Sequence, residues 1–592
     1  MMNKKMRTTL LVLLTGIIAG CEDFKFGNAF LEKPMGDDVN IDTVFSNKKY
    51  ADQALNQAYR SLPDYLPLEA RGYRGNWINT DGVTDICYSA GSAYISGSLK
   101  ASYEIAFPYY PNSSTQNIGN PLYGIRKAYI YLENVDRVPD MTEAEKTRRK
   151  AEMKVLIAYH YSQMLRHYGG VPWIDHAYTS DDVFHFPRMT VEETVNKIVG
   201  LLDEAAVDLP WYAVAEEDGH ITAAAAKALK LRVLLFVASP LLNNDTPYAD
   251  GEAAVQKLSW YGDYKKERWE AALNAGLEFL RLNKENGSYH EVVNTGNPRE
   301  DYINGYWTRG SREIIMSSHR FAVYDMSTKP LDRGHNDCDI ATRASYADMF
   351  EWKDGSAFDW KNETHAAHPF FDENMKPTRD IRLYETLIIN QDKFKNQTNG
   401  AECYQGGRQS MENSSYNKSS KYGYSVRKFV RDKAEEVKNK PYQCPLIRMP
   451  EVYLSIAEAM NQLGVAGVKD EFGRDAYDYI NIVRHRAGMP EVRKVEGQEL
   501  VDILLHERVV EFGAEEMRYF DLIRWKRSDL LSTPLEMLVI KMEGRDTAGK
   551  PIFSYQRSVT NEKYSWKDYW YLIAFSQAEI NKKYGLIQNP GW

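Results

Sequence analysis

The chain has 592 residues, of which 43% are hydrophobic, and a formal net charge of −8. That is enough apolar material for a large core, and charges of both signs are interspersed, which excludes the basic footprint of a nucleic-acid binder. The 40 tyrosines and 12 tryptophans join an apolar face to a polar tip and suit ligand-binding surfaces, although most of them are expected to pack helices.

In chain order, Lys4, Lys5 and Arg7 precede an apolar run from Thr8 to Gly20. A bilayer span needs about 20 apolar residues, so this shorter run reads as a secretory signal over residues 1–20. Ile18-Ala19-Gly20-Cys21 is similar to a bacterial lipobox, which makes Cys21 the expected lipid anchor and residues 21–40 a tether. Cys87, Cys338, Cys403 and Cys444 are too few to staple so long a chain, and their pairing cannot be read from spacing.

Helical periodicity then predicts Val44–Leu62, stopped by Pro63, and Thr142–Tyr168, where Thr142 and Glu145 form a capping box and Gly169-Gly170 end the run. Further helices are predicted over Thr190–Leu209, from Thr222 to Pro240, and over Arg268–Leu282. From Asn286 to Pro445 no period persists, and short pieces such as Glu313–Ser317 and Tyr424–Val430 read as strand-like. A stretch this long and irregular usually carries function. Helices resume with Tyr453, Ile456, Ala457 and Met460 on one face, then Ala476 to Ala487, then Val501 to Phe512. The expected fold is mainly α. A tetratricopeptide-like scaffold of about four helical pairs would carry a large loop-rich region and a few short strands, although no 34-residue repeat is visible. Residues 41–592 are expected to form one domain: helical scaffold over about 41–285 and 446–545, loop-rich ligand region over about 286–445, and a C-terminal segment at 546–592.

Sugars present flat C–H faces and hydroxyl edges, so they need a stacking ring beside amides or carboxylates. Asn76, Trp77, Asn79, Asp81 and Asp85, followed by Tyr88, Tyr94 and Tyr103, supply that mixture after the first helix. His506-Glu507-Arg508-Val509-Val510-Glu511 lacks the second histidine of a zinc-protease helix. Glu507 and Glu511 share a face, and with Arg518 and Arg524 nearby they predict a buried structural charge network in place of a catalytic pair. Neither His365-Ala366-Ala367-His368 with Asp372 nor His335 to Asp339 has the spacing of a closed zinc site. No metal, cofactor or catalytic residue is therefore expected.

Several segments together resemble the SusD-like (RagB/SusD) family of outer-membrane lipoproteins. They are Glu22-Asp23 after the lipobox, Phe45-Ser46-Asn47 with Ala54 to Pro63, Ala158 to Leu165 with Tyr168-Gly169-Gly170-Val171-Pro172, and Ala223 to Leu235. Pro377-Thr378-Arg379-Asp380-Ile381-Arg382 follows, with Ile381 where the family usually has proline, then Met449 to Asn461 and Asn481 to Gly488. The strongest stretch runs from Leu505-His506-Glu507-Arg508 through Glu511, Glu515, Arg518 and Phe520-Asp521-Leu522 to Arg524-Trp525, and the chain closes on Gln588-Asn589-Pro590-Gly591-Trp592. The resemblance implies a non-catalytic, cell-surface glycan-binding lipoprotein that delivers oligosaccharide to a SusC-like TonB-dependent outer-membrane transporter. The alternative it leaves open is a peptide-binding or purely structural lid. It also directs attention to the central loops, which adds Tyr306, Trp307, Trp352, Trp360 and Tyr404 to the ligand-binding candidates.

Overall fold

Local sequence signals set the helix starts. In the computed structural model, which describes residues 40–63, 80–89, 97–101, 121–179, 181–321, 340–394, 398–410, 424–429, 432 and 441–592, the first long helix is α1 (Lys48–Tyr59), capped by the Asn47 side chain on the Tyr50 N–H. The single helix predicted over Val44–Leu62 is thus divided. Asn40 caps a separate short turn, Ile41–Val44, and Phe45 is buried between the two. Next comes α2 (Pro121–Asn134), which periodicity did not reveal. In α3 (Glu143–Tyr168) Thr142 and Glu145 form the reciprocal capping box expected of them, and Gly169 ends the helix at φ 79°, where a side chain would meet the Leu258 carbonyl. A second capping box, Thr190 with Glu193, opens α4 (Val191–Val207), and Thr222 caps α5 (Ala223–Ala238). The scaffold continues with α6 (Glu267–Glu285) and α7 (Pro298–Tyr306), then α8 (Met449–Gln462), α9 (Ala476–Arg486), α10 (Gly497–Phe512) and α11 (Arg518–Arg524).

The helices pack in succession: α1 with α2, α3 with α4, α5 with α6 and α8 with α9 form four pairs, and each pair contacts the next. The alanines at the start of α5 and Gly276 of α6 bring these helices close, and a Cβ on Gly276 would lie 2.4 Å from Ile456 of α8. One apolar core follows the stack and takes in residues from Phe45 to Ile573.

The middle region is less featureless than its sequence suggests. Antiparallel pairs join β1 (Cys87–Ser89) to β3 (Ile340–Thr342) and β2 (Ile314–Phe321) to β4 (Pro441–Arg448). Of the strand expected over Tyr424–Val430, Val426 alone among the described residues makes a bridge, with Leu387. A long hairpin of β5 (Pro534–Arg545) and β6 (Pro551–Lys563) was not expected, and the boundary placed at residue 546 falls in its turn. Leu538 and Ile540 of the hairpin join Tyr346, Phe350, Phe370 and Leu383 in a second core, which meets the scaffold at Val509 and Val510 of α10.

Candidate functional site

The loop region is fastened to the helices by buried charge. Arg382 donates to Asp380 (2.7 Å), to Glu507 (2.6 Å) and to Glu511 (3.1 Å). Arg484 bridges Glu507 (2.9 Å) and Glu351 (2.7 Å). Arg448 reaches Glu313 (2.6 Å), Glu511 (2.8 Å) and Glu515 (2.7 Å), and Arg486 donates to Glu511 at 2.6 Å. Burial pushes the Glu511 carboxyl up, but the guanidinium groups of Arg486, Arg448 and Arg382 outweigh it and hold the group well below the ordinary carboxylate range. Glu507 and Glu515 are lowered by the same balance. The network expected around Glu507 and Glu511 is present, but its arginines come from distant segments. Arg518 instead holds Asp85 (2.6 and 2.9 Å), and Arg524 holds Glu458 and Asp521.

That pairing corrects two ligand candidates. Asp85 is buried against Arg518, and Asp81 is buried with its carboxylate accepting from the Glu516 N–H. Glu516 in turn accepts from the Thr80 N–H at 2.6 Å, and burial of this acidic pair raises Glu516 to about 7 and Asp81 well above its usual value. Tyr88 pairs with Ala341 through β1. Cys21, Asn76, Trp77, Asn79, Tyr94 and Tyr103 lie outside the described residues.

The central candidates divide into three places. Tyr306 is buried, edge-on to Tyr302 and Phe429, so its ring is scaffold, while Trp307 beside it is half-buried. Trp352 is also buried, stacked on His365 at 4.3 Å. Trp360 joins the same aromatic layer edge-on to Phe358 and donates its indole N–H to Asp348 at 3.0 Å. Tyr404 packs on Phe553 of the hairpin. His365, engaged by Trp352 and by the Asp359 N–H, is structural. Trp307, Trp360 and Tyr404 therefore keep partial exposure at separate points, and Tyr306 and Trp352 do not face solvent. Among the described residues there is no cluster of three metal-ligating side chains, and no helix is long and apolar enough to cross a membrane. Cys87 and Cys403 are free thiols.

One concave site escaped the sequence reading. A cleft opens between the start of α5, β2 and the loop after α6. At its rim Tyr212 and Tyr289 stack with ring centroids 4.1 Å apart and planes 8° from parallel. The only hint in the sequence is an aromatic pair, Trp211-Tyr212, between two helices, followed by Asp218-Gly219-His220.

A stack of helical pairs that carries an irregular, charge-fastened central region defines the class of scaffold. The chain belongs to the SusD family, whose model matches residues 281–592. A second model, described as starch-binding and associating with the outer membrane, matches residues 30–235. The chain is similar to the starch-binding protein SusD of Bacteroides thetaiotaomicron, 24% identical over 494 residues, with 79% of this chain and 77% of that protein covered. Its fold is similar to a SusD-like protein of Bacteroides fragilis (TM-score 0.69, 22% identity, 93% of this chain and 98% of the other). It is also similar to a laminarin-binding SusD-like protein (TM-score 0.53, 16% identity, 93% and 100%).

Proposed function

We propose that this chain is a lipid-anchored glycan-binding protein on the outer face of the outer membrane. It captures oligosaccharide and passes it to a SusC-like TonB-dependent transporter, binding without cleaving bonds. Membership of the SusD family carries this reading, together with the starch-binding name of a relative that spans most of the chain. The lipobox-like Ile18 to Cys21 supports the anchor, with Cys21 as the lipidated residue. The half-exposed Trp307, Trp360 and Tyr404, with Asn76 and Trp77 after the first helix, are the proposed contacts. Rings of this kind stack on sugar faces while their polar neighbours orient the hydroxyls. Affinity electrophoresis of the purified protein through gels containing soluble starch, laminarin or other polysaccharides tests the reading. Retardation by one glycan that weakens in Trp77→Ala or Trp360→Ala supports it. Failure of every glycan to retard the protein, with binding of peptides instead, overturns it in favour of a peptide-handling lid.

A further inference from the structure

Resting on that glycan-binding reading, we propose that the cleft beneath Tyr212 is an additional carbohydrate subsite, taking the end of a neutral oligosaccharide. The two tyrosines are held in place by their own surroundings. The Asn283 side chain accepts from the Trp211 indole N–H (3.1 Å) and from the His290 N–H (3.0 Å), and donates to the His290 carbonyl (2.8 Å). One buried amide thus fixes the chain next to both rings. On Tyr289, Arg312 donates to the residue's own carbonyl at 2.5 Å and to that of Ser288 at 2.7 Å, and its guanidinium lies 5.5 Å from the ring centroid. Tyr289 is therefore supported from behind and Tyr212 is the outer layer, 41% exposed. A platform assembled before the ligand arrives avoids the ordering cost that weakens loop-borne sites.

The walls supply what a sugar edge needs. Thr222 uses its hydroxyl oxygen to cap α5, accepting from the Ala225 N–H at 3.2 Å, which leaves the hydroxyl proton to be donated. Ser311 likewise accepts from the Glu313 N–H at 3.4 Å. Asp218 meets Arg309 through one carboxylate oxygen and keeps the other as an acceptor. His220 sets its Nδ1 between the buried Glu152 (2.9 Å) and Arg149 (3.1 Å), and its ring lines the cleft. These groups line one concavity with an apolar back of β2 residues Ile314 to Met316. A phosphate or acidic sugar would want unpaired positive charge, but the arginines at this rim are committed, Arg309 to Asp218 and Arg312 to Glu291. One exposed ring face, two hydroxyls, a carboxylate and an imidazole suit a neutral pyranose instead.

The test is affinity electrophoresis of the full protein in soluble starch, laminarin and the same wider polysaccharide panel, comparing wild type with Tyr212→Ala, Tyr212→Phe, Ser311→Ala and Trp360→Ala. Thermal melting of each variant serves as the folding check, and Tyr212 lies at the surface. The expected result is that Tyr212→Ala weakens retardation by the recognised glycan about three- to tenfold, the worth of one aromatic contact. Tyr212→Phe should hold near wild type because it keeps the face, and Ser311→Ala should fall between them. Unchanged retardation in Tyr212→Ala, with loss in Trp360→Ala, overturns the subsite and leaves glycan capture standing. Absence of retardation of wild type by every glycan overturns both.

Discussion

Replacing Glu511 by alanine is expected to cost the fold about 3–5 kcal/mol, and the structure shows why. The carboxylate is fully buried and accepts from Arg486 at 2.6 Å, Arg448 at 2.8 Å and Arg382 at 3.1 Å. A charge-assisted hydrogen bond contributes roughly 1.5–3 kcal/mol, so three of them set an upper bound of roughly 5–9. The arginines do not lose equally. Arg448 keeps Glu313 and Glu515, and Arg382 keeps Asp380 and Glu507, whereas Arg486 is left only with Glu313 at 3.3–3.4 Å. The loss therefore falls near that of one broken buried pair, about 3–5 kcal/mol, with most of it in the stranded Arg486. Urea unfolding followed by circular dichroism measures it. Because the penalty is an uncompensated charge, adding Arg486→Met to Glu511→Ala should recover part of the loss. A single-variant cost below about 1.5 kcal/mol, or a double variant worse than the sum of the singles, would refute the reasoning. The pH dependence has a defined sign. Glu511 sits below its ordinary 4.5 when folded, so its contribution is complete above that pH and is lost as pH falls through the folded value.

Other perturbations have separate signatures. Glu516 behaves oppositely to Glu511: its folded value of about 7 exceeds 4.5, so the native state binds more protons and stability falls as pH rises between the two. The fall is about 3 kcal/mol across that window, and Glu516→Gln should flatten the midpoint-versus-pH curve there. Gly124→Ala places a Cβ 2.2 Å from His160 Nε2 and 2.4 Å from Ser61 Oγ where α2 crosses α3, and should cost about 1–3 kcal/mol in urea unfolding. Thr142→Ala removes the cap of α3 and should cost about 1 kcal/mol, with faster amide exchange confined to the first turn of that helix.

What could be read from the sequence was what is local. The Thr142 start is visible because a cap and its partner sit three residues apart, and the Thr190 helix because Pro187 and Pro210 bound it. The β5–β6 hairpin was hidden by its own irregularity. Its buried residues Leu535, Leu538 and Ile540 are not evenly alternating, because a register shift lies between Pro534 and Glu536. The site follows the same rule. Glu507 and Glu511 share a face one helical turn apart, but Arg382 and Arg448 arrive from more than 60 residues away. Tyr212 and Tyr289, far apart in sequence, meet where Asn283 of α6 ties Trp211 to His290. An aromatic count could not separate the buried Trp352 from the half-buried Trp360 for a related reason: both sit in one layer, and their exposure depends on which edge of it each occupies.

The arginines explain how so irregular a region can sit on so regular a scaffold. Buried loops leave backbone carbonyls without ladder partners, and each of these must be satisfied. Arg379 does this for the loop around Trp352, donating to the carbonyls of Phe350 (2.6 and 2.8 Å), Ala347 (2.7 Å) and Pro369 (3.2 Å) with its plane 3.5 Å from the Phe358 ring. Arg188 does the same at the turn after α3, reaching the carbonyls of Gly170, Tyr168, Leu258 and Ile587. Burial pulls Arg379 down to about 10 and Arg188 to about 9, whereas the carboxylate-bound Arg382 and Arg448 are driven up despite their burial. The two groups of arginines do different work. Carbonyl-capping arginines let loops hold a fixed irregular path, and carboxylate-paired ones fasten that path to α9 and α10.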